Sequence, residues 1–153
     1  MKFLIAEDTF EVLEYIRKYL IESGHFVFCA NDGEEALKIF QKEEIDGIFC
    51  VLTLPKLGGL ELLNEVKSSS KTCPFVMICP HEDSENALDA LQLGACDFLI
   101  KTIKNHDLQR TLDRVTNLTD GFNSGESDLA GLAYENQHLS FQSRSIIVTW
   151  LVA

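Results

Sequence analysis

A short apolar run, followed at once by chain-breaking residues, limits most strongly what this chain can fold into. Residues 48–52 (IFCVL) are apolar without interruption, too few for a helix, and flanked by Gly47 and Pro55. Such a run is typical of a strand that is covered on both faces of a parallel sheet. Shorter or similar runs recur elsewhere, and the sequence therefore predicts five strands, the other four at residues 3–6, 25–30, 75–79 and 97–100.

Helical patterns separate these strands, because apolar residues recur there every three or four positions. Gly24 is predicted to end the first helix, and Asp32 with Glu35 resembles a capping box that opens the second. Strands that alternate with helices predict an α/β fold, a doubly wound five-stranded parallel sheet. The residues predicted to face the core are Leu13, Ile16 and Leu20, then Ala36, Leu37 and Phe40, then Leu60, Leu63 and Val66, then Ala87, Leu88 and Leu91, and finally Leu108, Leu112 and Val115.

The net charge, the hydropathy and the cysteine content indicate which partners and which compartment to expect. The chain of 153 residues carries a formal net charge of −11, which argues against a direct nucleic-acid surface, since such surfaces need clustered Lys and Arg. The longest apolar run is far too short to span a membrane, so no membrane partner is expected. Five scattered Cys without metal-ligand spacing indicate free thiols, and a reducing cytoplasm is the predicted compartment.

Residues 1–118 resemble the receiver domains of two-component response regulators, the CheY-like family. The resemblance rests on the acidic pair after the first strand, the segments NDGEEAL (31–37) and GACDFLIK (94–101), and the Pro and Gly residues after the third strand. It implies the flavodoxin-like strand order 2-1-3-4-5. In that order the site lies at the carboxyl ends of the strands, where the winding of the sheet reverses.

The resemblance also implies roles for four positions. In the family, the acidic pair helps to hold Mg²⁺, and here it is Glu7 and Asp8. The lysine that pairs with the phosphoryl group corresponds to Lys101, and the aromatic whose rotamer reports activation corresponds to Phe98. Each residue also has a purely structural interpretation. Glu7 and Asp8 could be exposed acids at the end of a strand, Lys101 a salt-bridge residue, and Phe98 an ordinary core residue.

Three departures from the family pattern fall at this one site. Val51 occupies the position of the aspartate that accepts the phosphoryl group, and Cys79 occupies that of the hydroxyl residue that bonds it. Thr102 replaces the proline that usually follows the lysine through a cis bond. Because a cis bond without proline costs about 2.5–4 kcal/mol, a trans bond is predicted there. The sequence thus predicts a vestigial site without a catalytic residue, a cofactor or more than weak Mg²⁺ binding.

The predicted function is that of a degenerate receiver in phosphorelay-type signal transduction, which is not an enzyme and works by protein–protein contact. Its predicted partners are a second copy of the chain or an attached output domain. Lys101 is further predicted to turn its ammonium group towards the acidic pair. Two alternatives remain open: a receiver that is phosphorylated on an unrecognised residue, and a redox- or ligand-sensing flavodoxin-like domain.

Residues beyond the receiver-like part are predicted to form a linker at 119–128 and a helical extension at 129–153. The extension is interpreted as a coiled-coil segment, as the start of a missing output domain, or as a helix that packs back on the receiver. It is expected to contribute to self-association. This prediction rests on a heptad-like stripe of Leu129, Leu132, Asn136, Leu139, Ser143, Ile146 and Trp150.

Overall fold

The computed structural model describes residues 1–80 and 84–123, and within them five strands alternate with five helices. All strand neighbours are parallel, in the order β2-β1-β3-β4-β5, so the predicted fold class and strand order are confirmed. The strands are β1 (Lys2–Ala6), β2 (Phe26–Ala30), β3 (Gly47–Val51), β4 (Phe75–Cys79) and β5 (Asp97–Ile100). The helices are α1 (Phe10–Glu22), α2 (Gly33–Lys42), α3 (Gly59–Ser68), α4 (Ser84–Gln92) and α5 (Asn105–Asn123).

The central strands are covered on both faces, as their unbroken apolar runs predict. Every residue of β3 and β4 is buried. On one face of the sheet, alternate strand residues pack against the buried stripes of α1 and α5 in a single cluster. Its buried members are Phe3, Ile5, Leu13, Ile16, Leu20, Phe49, Val51, Val76, Ile78, Leu99, Leu108, Leu112 and Val115. The predicted inward faces of α1 and α5 are therefore confirmed.

The two edges of the sheet differ in their exposure. Three of the four residues of β5 are buried, whereas β2 begins with Phe26, which is 72% exposed, and has only its last residue fully buried. An edge strand presents unpaired backbone groups, and proteins commonly protect it with charged residues or proline. The sequence of β2, FVFCA, contains neither. The β2 edge is thus the open side of this sheet.

Three inward faces differ in part from the prediction. In α2 the residue Leu37 is only partly buried, and in α3 Leu62 is buried while Leu60 is only partly so. In α4 Ala90 is buried, whereas Leu88 and Leu91 are only partly buried. Residues spaced by three drift about 60° around a helix of 3.6 residues per turn, so they cannot all face the core. Gly24 does end α1: its φ is +90°, and the amide of His25 bonds the carbonyl of Leu20 in a Schellman arrangement.

The last described helix extends beyond the predicted receiver boundary. A compact unit spans Met1–Val115, and α5 ends at Asn123, so residues 119–123, which were predicted to be linker, are helical. A single glycine inside a helix costs only about 1 kcal/mol, too little to end it at Gly121. Residues 124–128 of the predicted linker and the extension at 129–153 lie outside the described residues. None of the helices described is long and apolar enough to cross a membrane.

Candidate functional site

Glu7 is the buried acid of the candidate site. It follows β1 directly, its amide bonds the carbonyl of Ala30, and its side chain is 0% exposed. Its Oε1 accepts a hydrogen bond of 3.0 Å from the amide of Thr9, in the turn that leads into α1. Among the residues that the structure describes, none donates a hydrogen bond to its Oε2. Burial raises the pKa of the Glu7 carboxyl, while the Thr9 amide and the charge of Lys101 lower it, so the net pKa lies above the ordinary value.

Lys101 supplies the counter-charge from the end of β5. Its Nζ lies 3.4 Å from Oε2 and 3.5 Å from Oε1 of Glu7, and its side chain is 29% exposed. This is the contact with the acidic pair that the sequence predicted. The amide of Lys101 also bonds the carbonyl of Cys79 at 3.0 Å, which fixes the start of the loop after β5.

The peptide bond between Lys101 and Thr102 is cis, so the predicted trans bond is wrong. The prediction weighed only the intrinsic preference of an isolated peptide. The Lys101 backbone bonds the end of β4, and its side chain reaches Glu7, which follows β1.

Val51 lies at the carboxyl end of β3, between β1 and β4, and is 1% exposed. Its side chain belongs to the apolar cluster formed with α1 and α5. The chain passes close by on leaving the strand: a Cβ on Gly59 would lie 2.5 Å from the Val51 carbonyl oxygen. A small residue at 59 is therefore required, and the space around position 51 is filled by protein atoms.

Cys79 and Phe98 complete the set of predicted residues, and both are buried. Cys79 ends β4 with 0% exposure, and Phe98 in β5 is 7% exposed, opposite Met77 of β4 in the sheet register. The ordinary core interpretation of Phe98 fits this burial. Cys50 and Cys79 are both free thiols, and burial raises the pKa of Cys50 well above its usual range, which suppresses the reactive thiolate.

The oxygen ligands of the site do not fit Mg²⁺, which requires near-octahedral oxygen coordination. Asp8 is exposed, but both Glu7 oxygens face the Lys101 ammonium, and the side chain of Val51 has no oxygen. Within residues 1–80 and 84–123, no three His, Cys, Asp or Glu side chains converge in a way that could hold a metal ion.

One contact near the site was not predicted from the sequence. The loop after β3 rests directly on the start of α2, where the Gly33 amide bonds the Pro55 carbonyl and a Cβ on Gly33 would lie 1.9 Å from the Leu57 carbonyl oxygen. Lys56, with φ of +68°, places its Nζ 3.5 Å from Asp32. The turn at Asn31–Gly33 was recognisable by its residues, but a contact between two separate loops leaves no local signal.

Comparison with known families agrees with this fold. A family model described as response regulator receiver domain matches residues 3–113. Among curated proteins, the chain is 30% identical over 119 residues to a probable transcriptional regulator ycf27 of Guillardia theta. That alignment covers 78% of this chain and 46% of the relative. It is also 29% identical over 122 residues to the two-component response regulator PhoP of Pseudomonas aeruginosa, covering 80% and 54%.

Solved structures give the same result. A response regulator receiver domain protein from Clostridium thermocellum superposes with a TM-score of 0.73 at 28% identity, covering 78% of this chain and 96% of that one. The chemotaxis response regulator CheY4 of Vibrio cholerae superposes with a TM-score of 0.69 at 30% identity, covering 74% and 97%. The chain thus matches isolated receiver domains over nearly their full length, but spans only about half of the two curated relatives.

Proposed function

The chain belongs to the response regulator receiver domain family, and from that membership we propose that it is a receiver which has lost phosphoryl transfer and signals through protein contacts. It is not an enzyme in this proposal, and it needs neither Mg²⁺ nor another cofactor. The family of two-component signalling proteins gives the context, and the cytoplasm is the proposed compartment. The observation that carries the proposal is the residue at the end of β3.

Val51 supports the loss of phosphoryl transfer in two ways. Its side chain has no oxygen that could attack a phosphoryl group or bind a metal ion, and no Asp or Glu occurs between Asp46 and Glu61 to replace it. Its burial in the apolar cluster also leaves little room for the charged group that phosphorylation would create. An unpaired ionised group in such surroundings is strongly disfavoured.

The pairing of Glu7 with Lys101 gives independent support. In a receiver that is phosphorylated, the lysine must be available to the phosphoryl group. Here its ammonium already lies 3.4 Å from the carboxylate of Glu7, and the burial of Glu7 makes this counter-charge necessary. We propose that the pair keeps the loop after β5 in one arrangement, whatever phosphodonor is present.

Partner binding then remains as the means of signalling, through a second copy of the chain or through an output domain. The names of several relatives describe transcriptional regulators or transcriptional regulatory proteins, and the chain spans only 25–54% of the first relatives' length. Direct contact with DNA by this chain is not part of the proposal, since its net charge is −11. Any such contact is assigned to protein beyond the matched region.

Incubation with acetyl phosphate and Mg²⁺, followed by intact mass measurement, tests the proposal. We expect no phosphoryl adduct on the wild-type chain, while a receiver domain that carries the aspartate is labelled in parallel as the control. An adduct on the wild-type chain would refute the loss of phosphoryl transfer. Peptide mapping of that adduct would then identify the unrecognised acceptor residue.

A further inference from the structure

One side of α1 carries exposed residues in a self-complementary order. Phe10 is 70% exposed and Ile21 is 45% exposed, and both are unusual positions for large apolar side chains. Between them, Glu14 and Arg17 form an ion pair within the helix, with Arg17 Nη1 3.4 Å from Glu14 Oε2, and their side chains are 42% and 44% exposed and so remain accessible to a second molecule. At about 100° per residue, these four positions lie within roughly 60° of one another on the helix. We call this row the α1 stripe.

The α1 stripe lies on the side of the helix that faces the open sheet edge. The opposite side faces α5: the Tyr15 hydroxyl bonds Asn105, and Asp113 on α5 helps to raise the pKa of Tyr19. Burial raises the pKa of Cys29, in the edge strand β2, while the charge of Arg17 lowers this pKa and that of Glu14 raises it, so both charges lie towards that strand. In residues 1–80 and 84–123, no strand pairs with the outer side of β2. A second molecule can therefore approach the stripe without displacing any described element.

We propose that the α1 stripe is a dimerisation face, on which a second copy of this chain docks with its own α1 antiparallel to the first. A two-fold axis between residues 15 and 16 sets Phe10 of one copy against Ile21 of the other. The same axis sets Glu14 against Arg17, twice. Such an isologous contact requires a surface that is complementary to itself, and this order of residues satisfies that condition. Parallel pairing would instead oppose like charges.

The order of the acid and the base along the α1 stripe indicates that its partner is a second copy of this chain. A generic apolar patch fits any apolar partner, but an acid and a base in mirrored positions between two apolar ends fit a copy of the same helix. Complementary charges chiefly select the partner and its register, while the buried apolar residues supply affinity. The proposed function gains a definite partner, a second copy of the chain, and a definite surface, the α1 stripe. The role of this dimer in signalling rests on the proposed function, but the dimer itself does not.

Charge exchange on the full chain tests the proposal by sedimentation at about 0.15 M salt, where repulsion between distant charges is screened. We expect the wild type to show a monomer–dimer equilibrium. Glu14→Arg and Arg17→Glu each turn two attractive pairs into repulsive ones. Each should weaken dimerisation roughly 10- to 30-fold, since exposed pairs contribute up to about 1 kcal/mol apiece. Glu22→Arg, the same charge change outside the stripe, should leave the dissociation constant unchanged.

Two experiments that should restore dimerisation show whether the weakening comes from the contact between residues 14 and 17. An equimolar mixture of the Glu14→Arg and Arg17→Glu chains should dimerise within about threefold of the wild type, since each basic stripe then meets an acidic one. The double variant, with both charges exchanged, should dimerise alone and thus show that the substitutions preserve the fold. A wild type that stays monomeric, single variants that match it, or a mixture without recovery would each overturn the proposed face. A phosphoryl adduct would refute the proposed function while leaving this face intact.

Discussion

Replacement of Lys101 by Met should destabilise the fold in a way that depends on pH. The change keeps the length of the side chain but removes the ammonium group 3.4 Å from Glu7 Oε2. The Glu7 carboxylate would then remain 0% exposed, with the Thr9 amide as its recorded hydrogen-bond donor. Breaking a fully buried pair costs about 3–5 kcal/mol, and an exposed pair contributes about 0–1 kcal/mol. Because the Lys101 side chain is 29% exposed, we expect a loss of about 1–2 kcal/mol at neutral pH.

The pH dependence follows from the direction of the Glu7 pKa. Burial raises this pKa above the ordinary value of 4.5, and Lys101 lowers it, so loss of the ammonium raises it further. A folded-state pKa above the unfolded one means that the folded chain binds the proton more tightly. The contribution of Glu7 to stability is then fully present below pH 4.5 and is lost as the pH rises through its folded pKa. The Lys101→Met penalty should therefore be small near pH 4 and greatest at neutral pH.

Urea unfolding at both pH values measures these differences for the full chain. Glu7→Gln removes the buried charge, so Lys101→Met in that background should cost at most about 0.5 kcal/mol. Lys104→Met, an exposed lysine of the same loop, is the matched control and should change stability by less than about 0.5 kcal/mol. The proposed ion-pair coupling between Glu7 and Lys101 would be refuted if Lys101→Met lowered the free energy of unfolding equally at both pH values. It would also be refuted if the loss were as large in the Glu7→Gln background as in the wild type.

Three further substitutions have expected outcomes. Val51→Asp should strengthen Mg²⁺ binding in calorimetry, yet acetyl phosphate should label it slowly or not at all, because the hydroxyl residue is still missing; rapid labelling would contradict this. Lys71→Met should lower the free energy of unfolding by about 1–2 kcal/mol, since its Nζ bonds three carbonyl oxygens at the end of α2, at 3.0, 3.3 and 3.4 Å. Gly33→Ala should lower the free energy of unfolding by more than about 2 kcal/mol, because the added Cβ would lie 1.9 Å from the Leu57 carbonyl oxygen. Gly58→Ala is the control: its Cβ would meet no atom within 4 Å, and the free energy of unfolding should fall by less than about 1 kcal/mol.

The fold was predictable because each element carries its own signal. The bounds of β4 match the apolar run at 75–79, since a strand covered on both faces favours apolar residues. The bounds of β5 also match the predicted 97–100, although its first residue is the buried Asp97, whose carboxylate accepts from the Phe98 amide and the Thr111 hydroxyl. The Asp32 cap of α2 is present as predicted, with its Oδ1 accepting from the Glu35 amide at 2.8 Å. The exact inward face of a helix was less predictable, because Leu60 and Leu62 are equally apolar and only packing selects between them.

The site was predictable in its residues but not in all of its geometry. Strand-end positions place Glu7 and Lys101 on one side of the sheet, because all its parallel strands end at the same edge, and the ion pair follows from burial of the acid. The cis bond after Lys101 lacks the proline that would indicate it. The contact of Lys71 with α2 joins segments far apart in the sequence. No local propensity encodes such contacts, so they emerge only when the chain is folded.

The change at position 51 is best understood together with position 7, because each alters what the other requires. A carboxylate at 51 would lie in the same region as Glu7 and would raise the cost of keeping Glu7 ionised, unless a cation offsets both. With Val51 in place, Glu7 is the one buried carboxylate that the described residues place at this site, and one lysine suffices to balance it. The apolar side chain then adds to the cluster under α1 and α5. Under the proposed function, the valine at 51 thus avoids a second charge that would need a cation and leaves a pair that the chain balances by itself.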